Sequence, residues 1–148
     1  MSTGALPVSP LAPPGGFPDL PGIGGVRLAA AETGLRKSGG PDVMLAEIAD
    51  GASLAGVFTR SATRSDPVRW CETVLAAHRD RSAPGGHAIV VNAGNANAFT
   101  GEAGLVTVRQ TAGATAGALG IPPGNVFIAS TGVIGETLAP DRIVDALD

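Results

Sequence analysis

Tyrosine is absent from this 148-residue chain, and tryptophan, cysteine and lysine occur once each. With only four phenylalanines besides, the core must come from Ala, Val, Leu and Ile. The single cysteine, Cys71, leaves no internal disulfide to form. Cys71, His78 and His87 lack the paired spacing of a zinc site, so no metal is expected. A reducing, cytoplasmic setting fits that usage. Lys37 follows Arg36, not a glycine, which excludes a Gly-Lys-Ser/Thr phosphate loop. Gly22-Ile-Gly24 meets Arg27 where the third glycine of a dinucleotide fingerprint would fall. A net charge of −3, with ten scattered basic residues, provides no footprint for nucleic acid or anionic lipid. No apolar run approaches the ~20 residues of a membrane span, and no basic residue precedes Arg27, so neither a span nor a signal peptide is expected.

Glycine and proline are abundant instead, at 22 and 12 residues. Six of each fall within the first 25 positions, where Asp19 is the only charge, so residues 1–25 read as a flexible leader. Chain-wide disorder is excluded by a 44% hydrophobic and 16% charged composition. Residues 26–148 are expected to form a single α/β domain. An early strand at 26–31 is followed by a second at 42–49, and Asp50-Gly51 signals a hairpin whose returning strand would be 53–60. Asp66-Pro67 marks a helix start, with Asp66 as the capping carboxylate and an apolar face of Val68, Cys71, Leu75 and His78 running to about Arg79. Pro84-Gly85-Gly86 turns into a strand at 87–92, and Thr100 is placed to cap a helix over 102–119 that Gly120 ends. On that helix Gly113, Ala116, Gly117 and Gly120 form a strip for close packing. A strand at 125–130, a loop at 131–136 and a helix opened by Pro140-Asp141 and still running at Asp148 complete the pattern. An ending in mid-helix points to an incomplete unit.

Two clusters stand out. In Asn92-Ala-Gly-Asn-Ala-Asn-Ala-Phe-Thr-Gly101, Asn92, Asn95 and Asn97 alternate with small residues just after a strand. Their amides suit an ordered loop stitched by side-chain hydrogen bonds, and equally a surface lying against substrate or a second backbone. In Ser130-Thr-Gly-Val-Ile-Gly135, Gly132 frees the backbone to present consecutive amides, as an oxyanion hole requires, although a plain strand-to-helix turn uses the same residues.

These two segments resemble the ornithine acetyltransferases, the glutamate N-acetyltransferase family of arginine biosynthesis. Ala55-Gly-Val-Phe-Thr59, Gly34-Leu-Arg-Lys37 with Asp42, Pro67-Val68 and Gly16-Phe17 follow the same family order. The resemblance runs from about residue 15 onward. Departures are local: Ser61 stands where the family has asparagine, and Ser65-Asp66 where it has paired alanines before Pro-Val.

The resemblance implies an αββα sandwich of stacked sheets flanked by helices, of which this chain carries the N-terminal α-chain portion. It implies a precursor that cuts itself before a threonine, whose freed amine activates its own hydroxyl, and an α/β heterotetramer. Acetyl would pass from N-acetylornithine to glutamate through an acyl-threonine, with acetyl-CoA a further candidate donor and no cofactor. The backbones of Thr131 and Gly132 would form the oxyanion hole, Asn92, Asn95 and Asn97 a substrate-proximal loop, and the β chain would bring the nucleophile. A self-processing aminopeptidase or amidase would share the oxyanion geometry. A non-catalytic remnant with a binding or structural role is the reading from a different class.

Overall fold

The computed structural model describes residues 8–78 and 85–147. Strands β1 (Val26–Ala31), β2 (Val43–Ile48), β3 (His87–Asn95) and β4 (Val126–Val133) form one sheet in the order β1-β2-β3-β4. β1 and β2 are antiparallel, as are β2 and β3, while β3 and β4 run parallel. Helix α1 (Asp66–Ala77) precedes β3, α2 (Glu102–Leu119) makes the crossover from β3 to β4, and α3 (Asp141–Val144) follows β4. A parallel pair needs such a crossover, and β3-α2-β4 supplies it. The described residues thus provide one sheet and its helices, the mixed α/β class expected; a second sheet is not formed among them.

Several sequence expectations change in detail. Residues 53–60 form no strand. The turn at Asp50-Gly51 does form, with Gly51 at φ 85° and its amide donating to Asp50 Oδ1 at 2.9 Å. The return has no edge to join, because β1 occupies one side of β2 and β3 the other. Strand β4 continues through Thr131 to Val133, where a loop was expected, because β3 extends to Asn95 and offers it a partner. Gly101, not Thr100, occupies the cap position of α2. In α1 that position belongs to Ser65, and no side chain caps the helix. The expected end of α1 at Arg79 and the turn residue Pro84 lie outside the described residues, the helix closing at Ala77. Helix α3 stops at Val144.

The core forms where the sheet meets α2. Val43, Val90, Val126 and Ile128 pack with Val108, Ala112 and Ala116, and Leu138 and Ile143 close the far side. The buried face of α2 is Gly104, Thr107, Val108, Thr111, Ala112, Thr115 and Ala116, so of the strip expected from sequence Ala116 is buried while Gly113, Gly117 and Gly120 are exposed. Two of its hydroxyls are satisfied internally: Thr107 Oγ1 donates to Leu138 O at 2.7 Å and Thr115 Oγ1 to Thr111 O at 2.8 Å. Gly113 and Gly117 are exposed, and a β-carbon at either would meet nothing within 4 Å. Gly113→Ala is therefore expected to stabilise the chain by up to about 1 kcal/mol, read as a raised urea midpoint with an unchanged slope.

Helix α1 lies along the outer edge of β4. Trp70 Nε1 donates to Val126 O at 2.8 Å, and Cys71 Sγ donates to Ile128 O at 3.2 Å while accepting from Ile128 N at 3.3 Å. An unpaired strand edge needs such partners. This shifts the buried face to Pro67, Cys71 and Val74, leaving Val68, Leu75 and His78 half-buried. Burial pushes the Cys71 thiol pKa up, so Cys71 is an edge-capping side chain and not a reactive thiolate.

At the other end of β3, His87 is buried with neither ring nitrogen hydrogen-bonded. Its ring meets that of His78 edge-on, centroids 5.9 Å apart, and His78 Nε2 contacts Gly124 O at 2.8 Å. Burial, then the positive charge His78 can carry, lower the His87 pKa below its ordinary 6.5, with Asp50 opposing. The unfolded chain therefore binds a proton that the folded chain refuses. His87 contributes its full stability above about pH 6.5, and stability falls as the pH drops below that value. Urea midpoints measured between pH 8 and pH 5.5 should decline, and His87→Leu should flatten the profile.

Candidate active site

The parallel strands β3 and β4 end side by side, with Asn92 opposite Ser130, Ala93 opposite Thr131, Gly94 opposite Gly132 and Asn95 opposite Val133. The two sequence clusters are therefore brought together at the C-terminal end of a parallel pair. Beyond the strands, Ala96 N donates to Val133 O at 2.9 Å and Gly135 N to Ala98 O at 2.9 Å. Asn95 Nδ2 donates to Glu136 O at 3.0 Å. The two segments behave as one unit.

Within it the asparagines face inward. Asn92, Asn95 and Asn97 are 1%, 8% and 1% exposed, so their amides cannot also point to solvent. Asn92 Nδ2 donates to Asn95 O at 2.9 Å, and Asn95 Oδ1 accepts from Asn97 N at 2.7 Å. Asn97 Nδ2 donates to Gly104 O at 3.0 Å, and Asn97 Oδ1 accepts the Thr100 hydroxyl at 2.9 Å. Of the two readings open from sequence, this geometry matches the stitched loop. Asn97 sits at φ 45° and Phe99 at φ 58°, and Phe99 is exposed. An exposed aromatic residue in left-handed backbone is held there by the surrounding bonds, a local strain of about 1–3 kcal/mol.

Residues 131–137 are exposed, in contrast. Gly132 has φ 134°, a value closed to L side chains, and a β-carbon there would overlap the Gly94 carbonyl and stand 2.5 Å from Asn95 N. Gly94, at φ 113°, is equally tight: a β-carbon would overlap the Leu35 carbonyl and stand 2.7 Å from its carbon. Three backbones, at residues 35, 94 and 132, are thus stacked without side chains between them. Sequence reasoning placed Gly94 and Gly132 in their segments but missed this stack, whose contacts span the chain. The invisible partner was Leu35, whose loop carries a glycine-rich signal at Gly34, Gly39 and Gly40 but nothing that says where it lands.

Beside the strand ends, an apolar cleft of about 400 Å³ runs between α1 and β4, lined by Val68, Cys71, Phe127 and Ala129 and reaching Ser130. Among the described residues no group of three or more His, Cys, Asp or Glu side chains could hold a metal ion. No helix among them is long and apolar enough to cross a membrane. What the arrangement offers chemically is backbone: a glycine fixed in an unusual conformation at an exposed strand end, supported from beneath by a buried amide network.

Residues 27–148 match the model of the ArgJ family. The chain is 51% identical over 142 residues to the arginine biosynthesis bifunctional protein ArgJ of Gluconobacter oxydans, covering 96% of this chain and 32% of that protein. It is 52% identical over 140 residues to the protein of the same name from Ruegeria pomeroyi, covering 95% and 33%. The chain thus spans about a third of the length of these relatives. Among solved structures, the ornithine acetyltransferase of Mycobacterium tuberculosis, in complex with ornithine, superposes with a TM-score of 0.75 at 35% identity, covering 84% of this chain and 64% of that one. The ArgJ structure from Bacillus halodurans gives 0.74 at 30% identity, covering 84% and 62%.

Proposed function

The chain belongs to the ArgJ family, and from that premise we propose that it contributes the oxyanion-stabilising part of an acyltransferase that moves acetyl from N-acetylornithine to glutamate. One observation carries the reading: at the exposed end of β4, Gly132 is locked against Gly94 in a conformation that only glycine adopts. Preorganised donors cost no reorganisation when charge develops, and one such donor is typically worth ~10²–10³ in rate. Val126 and Ile128 turn their peptide groups to the outer edge of β4, toward Trp70 and Cys71. Strand alternation carried two and four residues on sends Ser130 and Gly132 the same way. It turns the Thr131 amide toward β3, leaving the Thr131 hydroxyl, in place of its backbone, as the second donor. The asparagine loop then acts as the floor of the site, with Asn92, Asn95 and Asn97 fixing its height rather than touching substrate.

In this reading the nucleophilic threonine comes from the remaining two thirds of the relatives' length, as a β chain released by self-cleavage, in an α/β heterotetramer in the cytoplasm. Residues 1–25 form a leader to a single unit at 26–148. N-acetylornithine donates, glutamate accepts, and acetyl-CoA is a second donor to be tried. The solved relative bound to ornithine supports the donor class. The test is product identity after coexpression with the remaining segment of the Gluconobacter oxydans relative. N-acetylglutamate formed from N-acetylornithine supports the proposal. Free acetate alone marks an amidase, and no turnover by an assembled, processed complex marks a non-catalytic chain; either outcome sinks it.

A further inference from the structure

We propose that Asp42 is a positioning residue for Gly132, acting through residues 33–36 and Gly94; the proposal rests on the reading of Gly132 as an oxyanion donor. Asp42 is 3% exposed and holds two segments at once. Its side chain accepts from Thr33 N at 2.7 Å and the Thr33 hydroxyl at 2.9 Å through Oδ1, and from Arg36 N at 2.9 Å through Oδ2. Its backbone donates to Ala31 O at 2.9 Å and accepts from Ala93 N at 2.7 Å. One residue therefore grips the loop at both ends of the 33–36 turn and grips β3 at the position just before Gly94.

The geometry leaves little slack between Asp42 and Gly132. The Leu35 carbonyl, held between the two bonds to Thr33 and Arg36, rests directly on the α-carbon of Gly94, with Arg36 N 3.1 Å from where a β-carbon would sit. The carbonyl of Gly94 rests in turn on Gly132. Movement of Leu35 by a few tenths of an ångström has no side chain to absorb it. Among the described residues no cation is paired with Asp42: the Arg36 guanidinium turns to Ser38 Oγ, at 3.0 and 3.1 Å, so backbone amides and a hydroxyl are what hold the carboxylate. Burial alone would raise the Asp42 pKa, but the Arg36 and Thr33 amides, the Thr33 hydroxyl and the Leu35 amide outweigh it and bring it down to about 2. The carboxylate is accordingly ionised throughout the working pH range. An asparagine would keep the Thr33 side of the grip and present a donor to the Arg36 amide, releasing one end of the turn.

The experiment compares Asp42→Asn and Asp42→Ala with Val108→Ala. The last opens the core beneath α2 and serves as a destabilised control away from the loop. In the full 148-residue chain labelled with 15N-glycine, the Gly94 and Gly132 amide signals should move in both Asp42 variants, further in Ala than in Asn, and stay in place in Val108→Ala. In the complex completed with the Gluconobacter oxydans segment, Asp42→Asn should lower kcat about 10–100-fold with KM within about twofold, since a misplacement near 1 Å costs on that order. Thr33→Val, which removes only the hydroxyl bond, gives the same direction if the Asp42 variants do not fold. Glycine amides that stay in place, or that move without loss of kcat relative to Val108→Ala, would overturn the proposal. If the completed wild-type complex makes no N-acetylglutamate, the oxyanion reading fails on its own, and the amide signals still decide whether Asp42 sets Gly132.

Discussion

Gly132→Ala is expected to remove most of the activity of the completed enzyme, about 10²–10³ in kcat, and to destabilise the chain by about 3 kcal/mol or more. Two independent costs combine. The backbone at φ 134° is closed to alanine, and the new methyl would occupy the space of the Gly94 carbonyl. Neither neighbour can retreat, because Gly94 lies against the Leu35 carbonyl. Gly101→Ala isolates the first cost. Gly101 also has a positive φ, 59°, but a β-carbon there meets nothing within 4 Å. With ψ at −143° Gly101 lies outside the ordinary left-handed well, so that variant should lose about 1–3 kcal/mol from backbone strain alone. Urea unfolding of the two variants side by side separates strain from overlap; equal losses would remove the stacked-backbone explanation.

The second large effect is expected at Asn97. Asn97→Ala should cost about 2–3 kcal/mol, because it removes the two bonds Asn97 makes, to the Gly104 carbonyl and to the half-buried Thr100 hydroxyl, and places alanine in left-handed backbone. Asn97→Gly relieves the backbone penalty but still lacks both side-chain bonds, so it should recover roughly 1 kcal/mol of that loss. The order wild type, Asn97→Gly, Asn97→Ala in urea midpoint is the outcome to look for. If glycine were as damaging as alanine, the φ of 45° would not be contributing. Thr100 is informative here as well. Sequence spacing made it a helix cap, yet its hydroxyl turns back to Asn97, and Gly101 takes the cap position.

That misplacement typifies what was and was not legible. Elements set by local periodicity and punctuation were readable: the strand at Val26–Ala31, the proline-led α1, and α2 from Glu102 to a left-handed Gly120 at φ 67°. Contacts that depend on which edge is free were not. Residues 53–60 have the composition of a strand, but Val57 is 97% exposed because both edges of β2 are taken. The helix faces were also misjudged by about one residue, since Trp70 and Cys71 turn to the edge of β4 rather than to a flat sheet. At the site, the two segments that carry the family resemblance were found from sequence, and their juxtaposition followed only from the parallel register of β3 and β4. Whether three asparagines faced substrate or each other could not be decided by composition, because an amide serves both purposes.

Asp42 shows the same limit from another side. Sequence placed it at the start of the strand at 42–49, and only the fold reveals that it ties Thr33, Arg36 and Ala93 together. Glycines behave likewise. Gly113 and Gly117 looked like a packing strip and are open to solvent, whereas Gly94 and Gly132, separated by β3's partner crossover, are the ones that meet.

The most direct test of the account is a crystal structure of the completed enzyme with an N-acetylornithine analogue whose acetyl carbonyl is replaced by a tetrahedral oxyanion mimic. The anionic oxygen should lie about 2.7–3.1 Å from the Gly132 amide nitrogen, with the Thr131 hydroxyl as second donor. An oxyanion bound elsewhere, with the Gly132 N–H engaged by another part of the protein, would contradict it.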